Sequence, residues 1–326
     1  MQKPDSMIFS RYPKGMITPA VSIRRAVVWL VISTWVGVGG CSRTSRQTID
    51  AGLPSFVAGC IDVLSESADL PVESLAGCEN MTRHIVYRAG PSGPIVAAYS
   101  NRSVDDASCI VIPHEDERTA FRVAVAHVAG SGGQLFTIEQ GGHRNVVFER
   151  DGVRITVDPN RIFTDVGLRA TVQKLNSDLP EGWDDPAALS SLMSFAQSFL
   201  DTLDTCLSQM PGPPTVIAIH NNRNSTEPTD FSIESYLNDG GLAGDAARIQ
   251  NNPTVHDELD RDAFFLVTHR DDFDRLRPRW NVVLQSPQAT DDGSLSVHYK
   301  DRRYINVEAQ HGWFDQQVTM LNAALR

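Results

Sequence analysis

The stretch Ser108-Cys-Ile-Val-Ile-Pro-His-Glu-Asp-Glu-Arg-Thr-Ala120 decides how the rest of the chain reads. Ile110 to Ile112 is a short β-branched run, and a continuous apolar run marks a buried strand of a parallel sheet. Just beyond it, His114 and Glu117 fall where a strand gives way to a helix. Ligands of open α/β sheets sit past the carboxyl ends of such strands. Three residues apart, this pair can bend onto one ion, offering one imidazole nitrogen and one carboxylate.

Downstream, Thr119 to Val128 has helical spacing of Phe121, Val125 and Val128, stopped by Gly130-Ser-Gly-Gly. Gln134 to Glu139 reads as the next strand. Upstream, His84 to Tyr87 and Ile95 to Tyr99 pair as strands across Gly-Pro-Ser-Gly-Pro. Val146 to Phe148 and Val153 to Val157 flank Asp151-Gly152, a strong hairpin signal. A helix follows from Ala187 to Cys206, with Leu189, Leu192, Phe195, Phe199 and Leu203 on one stripe. Pro211 to Pro214 breaks the chain before the buried strand Val216 to Ile219, which ends in His220-Asn221-Asn222. Ala263 to Val267 and Asn281 to Leu284 are strands around a short helix at Asp271 to Leu276. Leu295 to His298 and Tyr304 to Val307 are expected to pair as strands across Lys300-Asp301. Phe314 to Leu325 closes the chain as a helix. Residues 223–262 are polar and lack a long apolar run, so they read as a functional loop bordering the site. The fold class is α/β: a mixed, mostly parallel twisted central sheet flanked by helices.

The first forty residues stand apart. Arg24-Arg25 precede the apolar run Ala26 to Val38, which is too short for a membrane span. Val38-Gly39-Gly40-Cys41 resembles a bacterial lipobox, so residues 1–40 read as a lipoprotein signal peptide with Cys41 lipidated; an ordinary secretory signal or an uncleaved anchor are the other readings. Residues 41–53, rich in Ser, Thr and Arg, read as a tether. Residues 54–326 form a single domain, with a first helix at Phe56 to Leu64. The 326 residues carry a net charge of −11, and without the first forty they hold 24 basic and 39 acidic residues, a charge of −15. That balance leaves no electrostatic footprint for nucleic acid. The implied membrane contact is the lipid on Cys41, which places the protein in a bacterial cell envelope. Of the other cysteines, Cys60 with Cys78 closes the shortest loop, while Cys109 and Cys206 stay open between disulfide and buried thiol. None has the spacing of a cysteine-based metal or redox site.

Four motifs follow one another: His114-Glu-Asp-Glu117, Asp158-Pro-Asn-Arg-Ile-Phe163, Val216-Ile-Ala-Ile-His220 and Asn306-Val-Glu308. Over roughly residues 84–326 this order resembles the zinc carboxypeptidase superfamily, most of all its succinylglutamate desuccinylase/aspartoacylase branch. The branch's metal motif has a small Gly that this chain lacks, and Pro159 replaces an apolar residue. The resemblance implies one Zn2+ held by His114, Glu117 and His220, with Glu115 in place of Glu117 as the alternative. It also implies Glu308 as catalytic base and Asn160 with Arg161 as a clamp for a substrate carboxylate.

The residue types support this chemistry by themselves. Two His and one carboxylate leave a zinc position open for water. Zinc lowers the pKa of water toward ~7 and polarises a carbonyl. A second carboxylate can take the water's proton and pass it to the leaving amine. The planar fork of Arg161 matches a carboxylate. Together they suit hydrolysis of an amide near a free carboxylate, in a peptide or acyl-amino acid, with peptidoglycan stem peptides as one candidate. Plainer roles stand beside these: Asn160 as a turn cap, Arg161 paired with Asp165, His220 as an ordinary strand-end histidine, Glu308 as a partner of Arg302 or Arg303. His311 is a candidate second ligand or orienter of the base. Arg144, Arg150 and Arg154 are all candidate oxyanion stabilisers, with His143 also near on the loop, while His127 and His298 read as structural. An N-acetylmuramoyl-alanine amidase and a non-catalytic wall-fragment-binding lipoprotein are the competing functions.

Overall fold

A computed structural model of the chain describes residues 78–101, 108–150, 152–180, 182–223, 231–237, 241–251 and 261–326. The signal peptide, Cys41, the tether, the Phe56 to Leu64 helix and Cys60 lie outside these residues.

Eleven strands occur among the described residues: β1 (Met81–Arg88), β2 (Ile95–Asn101), β3 (Cys109–Ile112), β4 (Gln134–Glu139), β5 (Val146–Arg150), β6 (Val153–Val157), β7 (Thr215–Asn222), β8 (Ala246–Gln250), β9 (Phe264–Val267), β10 (Asn281–Gln285) and β11 (Arg303–Gln310). The helices are α1 (Arg118–Ser131), α2 (Asp165–Leu175), α3 (Pro186–Ser208), α4 (Arg270–Leu276), α5 (Leu295–His298) and α6 (Phe314–Ala324). Nine strands form one sheet in the order β1-β2-β4-β3-β7-β11-β9-β10-β8, and β5 pairs with β6 as a separate hairpin.

The mixed sheet is as expected. Its central strands β4, β3, β7 and β11 are mutually parallel. Antiparallel pairs join β1 to β2, β2 to β4, β11 to β9 and β10 to β8, while β9 and β10 are parallel. The neighbouring pairs thus divide four and four, and parallel character is concentrated at the centre. The reason is local: β1 and β2 are joined by a short turn, and such a turn can close only an antiparallel pair.

Two apolar layers cover the sheet. On one face Ile110, Ile112, Ile217, Ile219, Ile305 and Val307 pack against α1, α4 and α6. On the other Cys109, Val111, Val216, Ala218 and Tyr304 pack against α2, α3, α5 and the β5–β6 hairpin. The α3 stripe read from the sequence is the one buried: Phe195, Phe199 and Leu203 are fully inaccessible. Each such side chain contributes on the order of 1.5–3 kcal/mol of burial. Asp185 caps α3 by accepting from the Ala187 and Ala188 amides, and Pro186 occupies its first turn. Asp185 was not read as a cap.

Cys109 and Cys206 are joined by a disulfide that ties β3 to α3 across 97 residues. This settles a choice that spacing left open, because only the fold brings a strand start and a helix end together. Cys78 is disulfide-bonded as well.

Two expectations need correction, and one helix had no counterpart among them. Leu295–His298 is a turn of helix, not a strand: Ser294 to Ser296 breaks the alternation, and the His298 and Tyr299 amides donate to the Ser294 and Leu295 carbonyls. The segment 223–262 contains regular structure, namely the turn Ile233–Tyr236 and edge strand β8. Its strand is short and lies half exposed at the sheet's edge, so its apolar signal is weak. Helix α2 was not foreseen; Thr164 caps it by accepting from the Gly167 amide.

Gly293 has φ +77, and a side chain there would overlap the Arg161 carbonyl and the Gly167 backbone. The Phe163 amide donates to the Gly293 carbonyl at 3.0 Å. This close approach fixes the Asp158–Phe163 segment against the loop before α5.

Candidate metal centre

β3 ends at Ile112, and Pro113 to Asp116 turn the chain into α1. Glu117 precedes the helix but does not cap it with its side chain. The carboxylate turns inward instead. His114 Nδ1 donates to Glu117 Oε1 at 2.8 Å, and His220 Nδ1 donates to Glu117 Oε2 at 3.0 Å. His220 comes from the carboxyl end of β7, beside β3. All three residues are buried, and one ligand atom from each lies within 4.8 Å of the others. The structure therefore brings the three expected ligands together. Glu115 is held elsewhere, accepting from the Gln140 amide at 2.5 Å.

Burial works against charge on His114, but Glu117 and Asp158 outweigh it and push its pKa up to about 9. Burial likewise raises Glu117, and the two histidines overcome it, holding the carboxyl well below its usual range. Asp158 is a site residue that the sequence reading quoted without a role. Its Oδ1 accepts from His114 Nε2 at 2.8 Å and from the Asn160 amide at 2.9 Å. The signal available was its place at the head of Asp158-Pro-Asn-Arg161.

The donor set fits a divalent metal ion. Two imidazoles and a carboxylate converge in a buried spot, His114 is backed by a carboxylate as metal-binding histidines usually are, and His220 Nε2 is buried with no partner among the described residues. His114, Glu117 and His220 could hold such an ion.

Glu308 lies near the carboxyl end of β11, directly in register with His220. Residues alternate faces along a strand, so Glu308, Asn306 and Tyr304 share the face of His220. Glu308 is buried and accepts from Asn306 Nδ2 at 2.9 Å. Burial raises its pKa; His220 opposes this and Glu117 adds to it. Arg302 and Arg303 are paired with Asp204 and Asp272, so neither is the partner of Glu308.

Asn160 and Arg161 sit on the 3-10 turn Pro159–Arg161. Asn160 Oδ1 accepts from the Leu295 amide at 3.2 Å, and Arg161 Nη1 donates to the Asn160 carbonyl at 2.8 Å. Arg161 Nη2 lies 3.5 Å from Asp292, whereas Asp165 pairs with Arg169. The Arg161 side chain stays 38% exposed, enough to meet a ligand.

Of the three candidate arginines only Arg144 reaches this place, donating to Glu117 Oε1 at 3.0 Å. Arg150 donates to the Ala187 carbonyl and Ser191, and Arg154 lies against Glu149. His311 is exposed at the rim, while His143 lines a separate groove. His127 lies by Ser108, and His298 ends α5. One cavity of about 450 Å³ is lined by His114, Glu117, His220, Glu308, Asn160 and Arg161 together. Phe231, Tyr236 and Leu242, from the segment read as a bordering loop, line it too.

No family model and no curated protein matches the sequence. Among solved structures the chain is similar to one titled "Putative metallopeptidase" from Shewanella baltica OS155, at 12% identity and a TM-score of 0.37 over 84% of this chain and 88% of that one. It is also similar to the succinylglutamate desuccinylase from Chromobacterium violaceum, at 11% identity and a TM-score of 0.36 over 83% and 75%. At these scores they stand as likenesses, and the functional reading below rests on the site.

Proposed function

We propose that this protein is a zinc-dependent hydrolase of an amide bond next to a free carboxylate, of carboxypeptidase or N-acyl-amino-acid deacylase type. The observation that carries it is one cavity holding a buried His-Glu-His group, a buried carboxyl in register with it, and an exposed-tipped arginine. His114, Glu117 and His220 would hold the ion, which when bound supplies Lewis-acid polarisation and makes water acidic near neutral pH. Arg161 binds the substrate carboxylate through its planar fork. Asn160 spends its oxygen on the Leu295 amide, so its amide nitrogen is the donor left for substrate. Glu308 accepts the attacking water's proton and returns it to the leaving nitrogen, giving acid and amine. Arg144 stands where it can stabilise negative charge growing on the carbonyl oxygen.

Cys41 as a lipidated N-terminus would set this activity in a bacterial cell envelope, with stem peptides or imported peptides as substrates. No helix among the described residues is long and apolar enough to cross a membrane. Cys41→Ser should abolish lipid labelling and release the protein from the membrane fraction.

A second reading, a non-catalytic binder of peptides or wall fragments, draws on the Arg144 contact, which satisfies Glu117 without an ion. Metal analysis separates the two. The purified chain should carry one zinc equivalent, His114→Ala and His220→Ala much less, and zinc-loaded protein should hydrolyse N-acyl amino acids. A full equivalent in both variants, or none in the parent chain, overturns the hydrolase reading.

A further inference from the structure

Glu117 stands at the head of α1, where a side-chain oxygen ordinarily caps the free amides of the first turn. It makes no such bond, because its two oxygens face His114 and His220. Asn221 supplies the cap in its place. Its Oδ1 reaches across from β7 and accepts from the Ala120 amide at 2.8 Å. The helix behind Glu117 is thus tied to the residue next to His220.

Asn221 is held in turn. Its Nδ2 donates to Gln317 Oε1 at 3.0 Å, and Gln317 Nε2 donates to the His220 carbonyl at 2.8 Å. Gln317 comes from α6 and is fully inaccessible, while Asn221 is 7% exposed. Neither amide can turn over. The chain of bonds begins at an N–H and ends at a carbonyl, so a flip of either amide would set like atoms against each other. The fold also gives Gln317 a reason to be polar. β3 pairs with β7 only as far as Ala218, so His220 lies past the end of that neighbour, and a buried carbonyl left without a donor is costly. Asn221 Nδ2 also lies 3.3 Å from the Ala309 carbonyl, next to Glu308.

Resting on the reading of His114, Glu117 and His220 as metal ligands, we propose that Asn221 and Gln317 are positioning residues that act as one unit behind the metal centre. The pair frees the Glu117 carboxylate from capping its own helix. It also fixes the His220 backbone, so the ligand on β7 and the ligand at the head of α1 keep a set spacing.

Zinc affinity of the full chain, read by competition with a chromophoric chelator, tests this without turnover. Gln317→Met keeps the length of the side chain and removes both polar ends. It should bind zinc at least about tenfold more weakly, the lower end for outer-shell partners. Met320, also buried on α6, serves as the control: Met320→Ala opens a cavity and should lower thermal stability while keeping the parent's zinc affinity. Asn221→Ala should weaken zinc as well, and adding Gln317→Met to it should cost little more, because the two act through one chain of bonds. A parent-like affinity in Gln317→Met, an equal loss in Met320→Ala, or losses that simply add in the double variant overturns the inference and leaves the metal site standing. A parent chain that binds no zinc sinks both. Should Gln317→Met fail to fold, Gln317→Asn decides. It keeps the amide but is one methylene too short to span Asn221 and His220, so the same loss is expected and a parent-like affinity overturns the inference.

Discussion

His114 Nε2 donates to Asp158 Oδ1 at 2.8 Å, joining two motifs that lie 44 residues apart. That bond fixes which imidazole nitrogen keeps its proton. With Nε2–H committed to Asp158, Nδ1 is the nitrogen that faces Glu117 and would face an ion. Asp158 is suited to the task, because burial raises its pKa but His114 and the nearby arginines bring it far below the usual carboxylate range.

Asp158→Asn should therefore weaken metal binding without removing a ligand. The amide can still accept from His114, but it no longer supplies charge to polarise the ring. Outer-shell partners of this kind are worth about 10- to 100-fold in metal affinity. Competition with a chromophoric chelator measures it, and an affinity equal to the parent's would show that Asp158 only caps its turn.

The Cys109–Cys206 bridge should be a major source of stability. It closes a loop of 97 residues, and removing a native disulfide typically costs about 2–5 kcal/mol. Denaturant unfolding of Cys109→Ser/Cys206→Ser against the parent reads the loss. A change under about 1 kcal/mol would mean that the packing of α3 on β3 suffices without the bond.

Much of this site was legible because each residue stands at a strand end. Val216 to Ile219 and Ile110 to Ile112 are apolar runs that stop at a polar residue, and a parallel centre brings those stops to one edge. What the sequence hid depended on distance. Arg144, Arg150 and Arg154 look alike in a hairpin region, and only the fold shows that Arg144 turns inward. Cys109 could not be matched to Cys206 without knowing that α3 crosses β3. Leu295 to His298 misled because four residues carry too little period to separate strand from helix, and β8 escaped because an exposed edge strand needs few apolar residues.

Arg161→Ala should discriminate between substrates. The loss of a charge-assisted contact is worth about 1.5–3 kcal/mol, or roughly ten- to a hundredfold in kcat/KM, for substrates with a free carboxylate. Amidated counterparts should change little, since they offer no charge to the guanidinium. Equal losses on both would make Arg161 a structural partner of Asp292 rather than a clamp.

Glu308 gives the last prediction, in which stability and activity move in opposite directions. Burial raises its folded pKa above the ordinary value of 4.5. Below that ordinary value the group is neutral in both states and contributes nothing. As pH rises, the unfolded chain loses the proton first, so the native state carries a growing penalty until the folded group also ionises. Glu308→Gln in the metal-free chain should thus be more stable than the parent at pH 7, with the gain fading near pH 4. A cation held by His114, Glu117 and His220 would draw the Glu308 pKa back down, so carboxyl NMR should show it titrating lower after metal loading. The same variant should lose at least about 10²-fold in kcat, the smaller end of general-base contributions, while keeping its metal and its affinity for product. A variant that stays active would place the base elsewhere. One that is inactive yet no more stable at pH 7 would mean that water reaches the carboxyl and that its burial is not what tunes it.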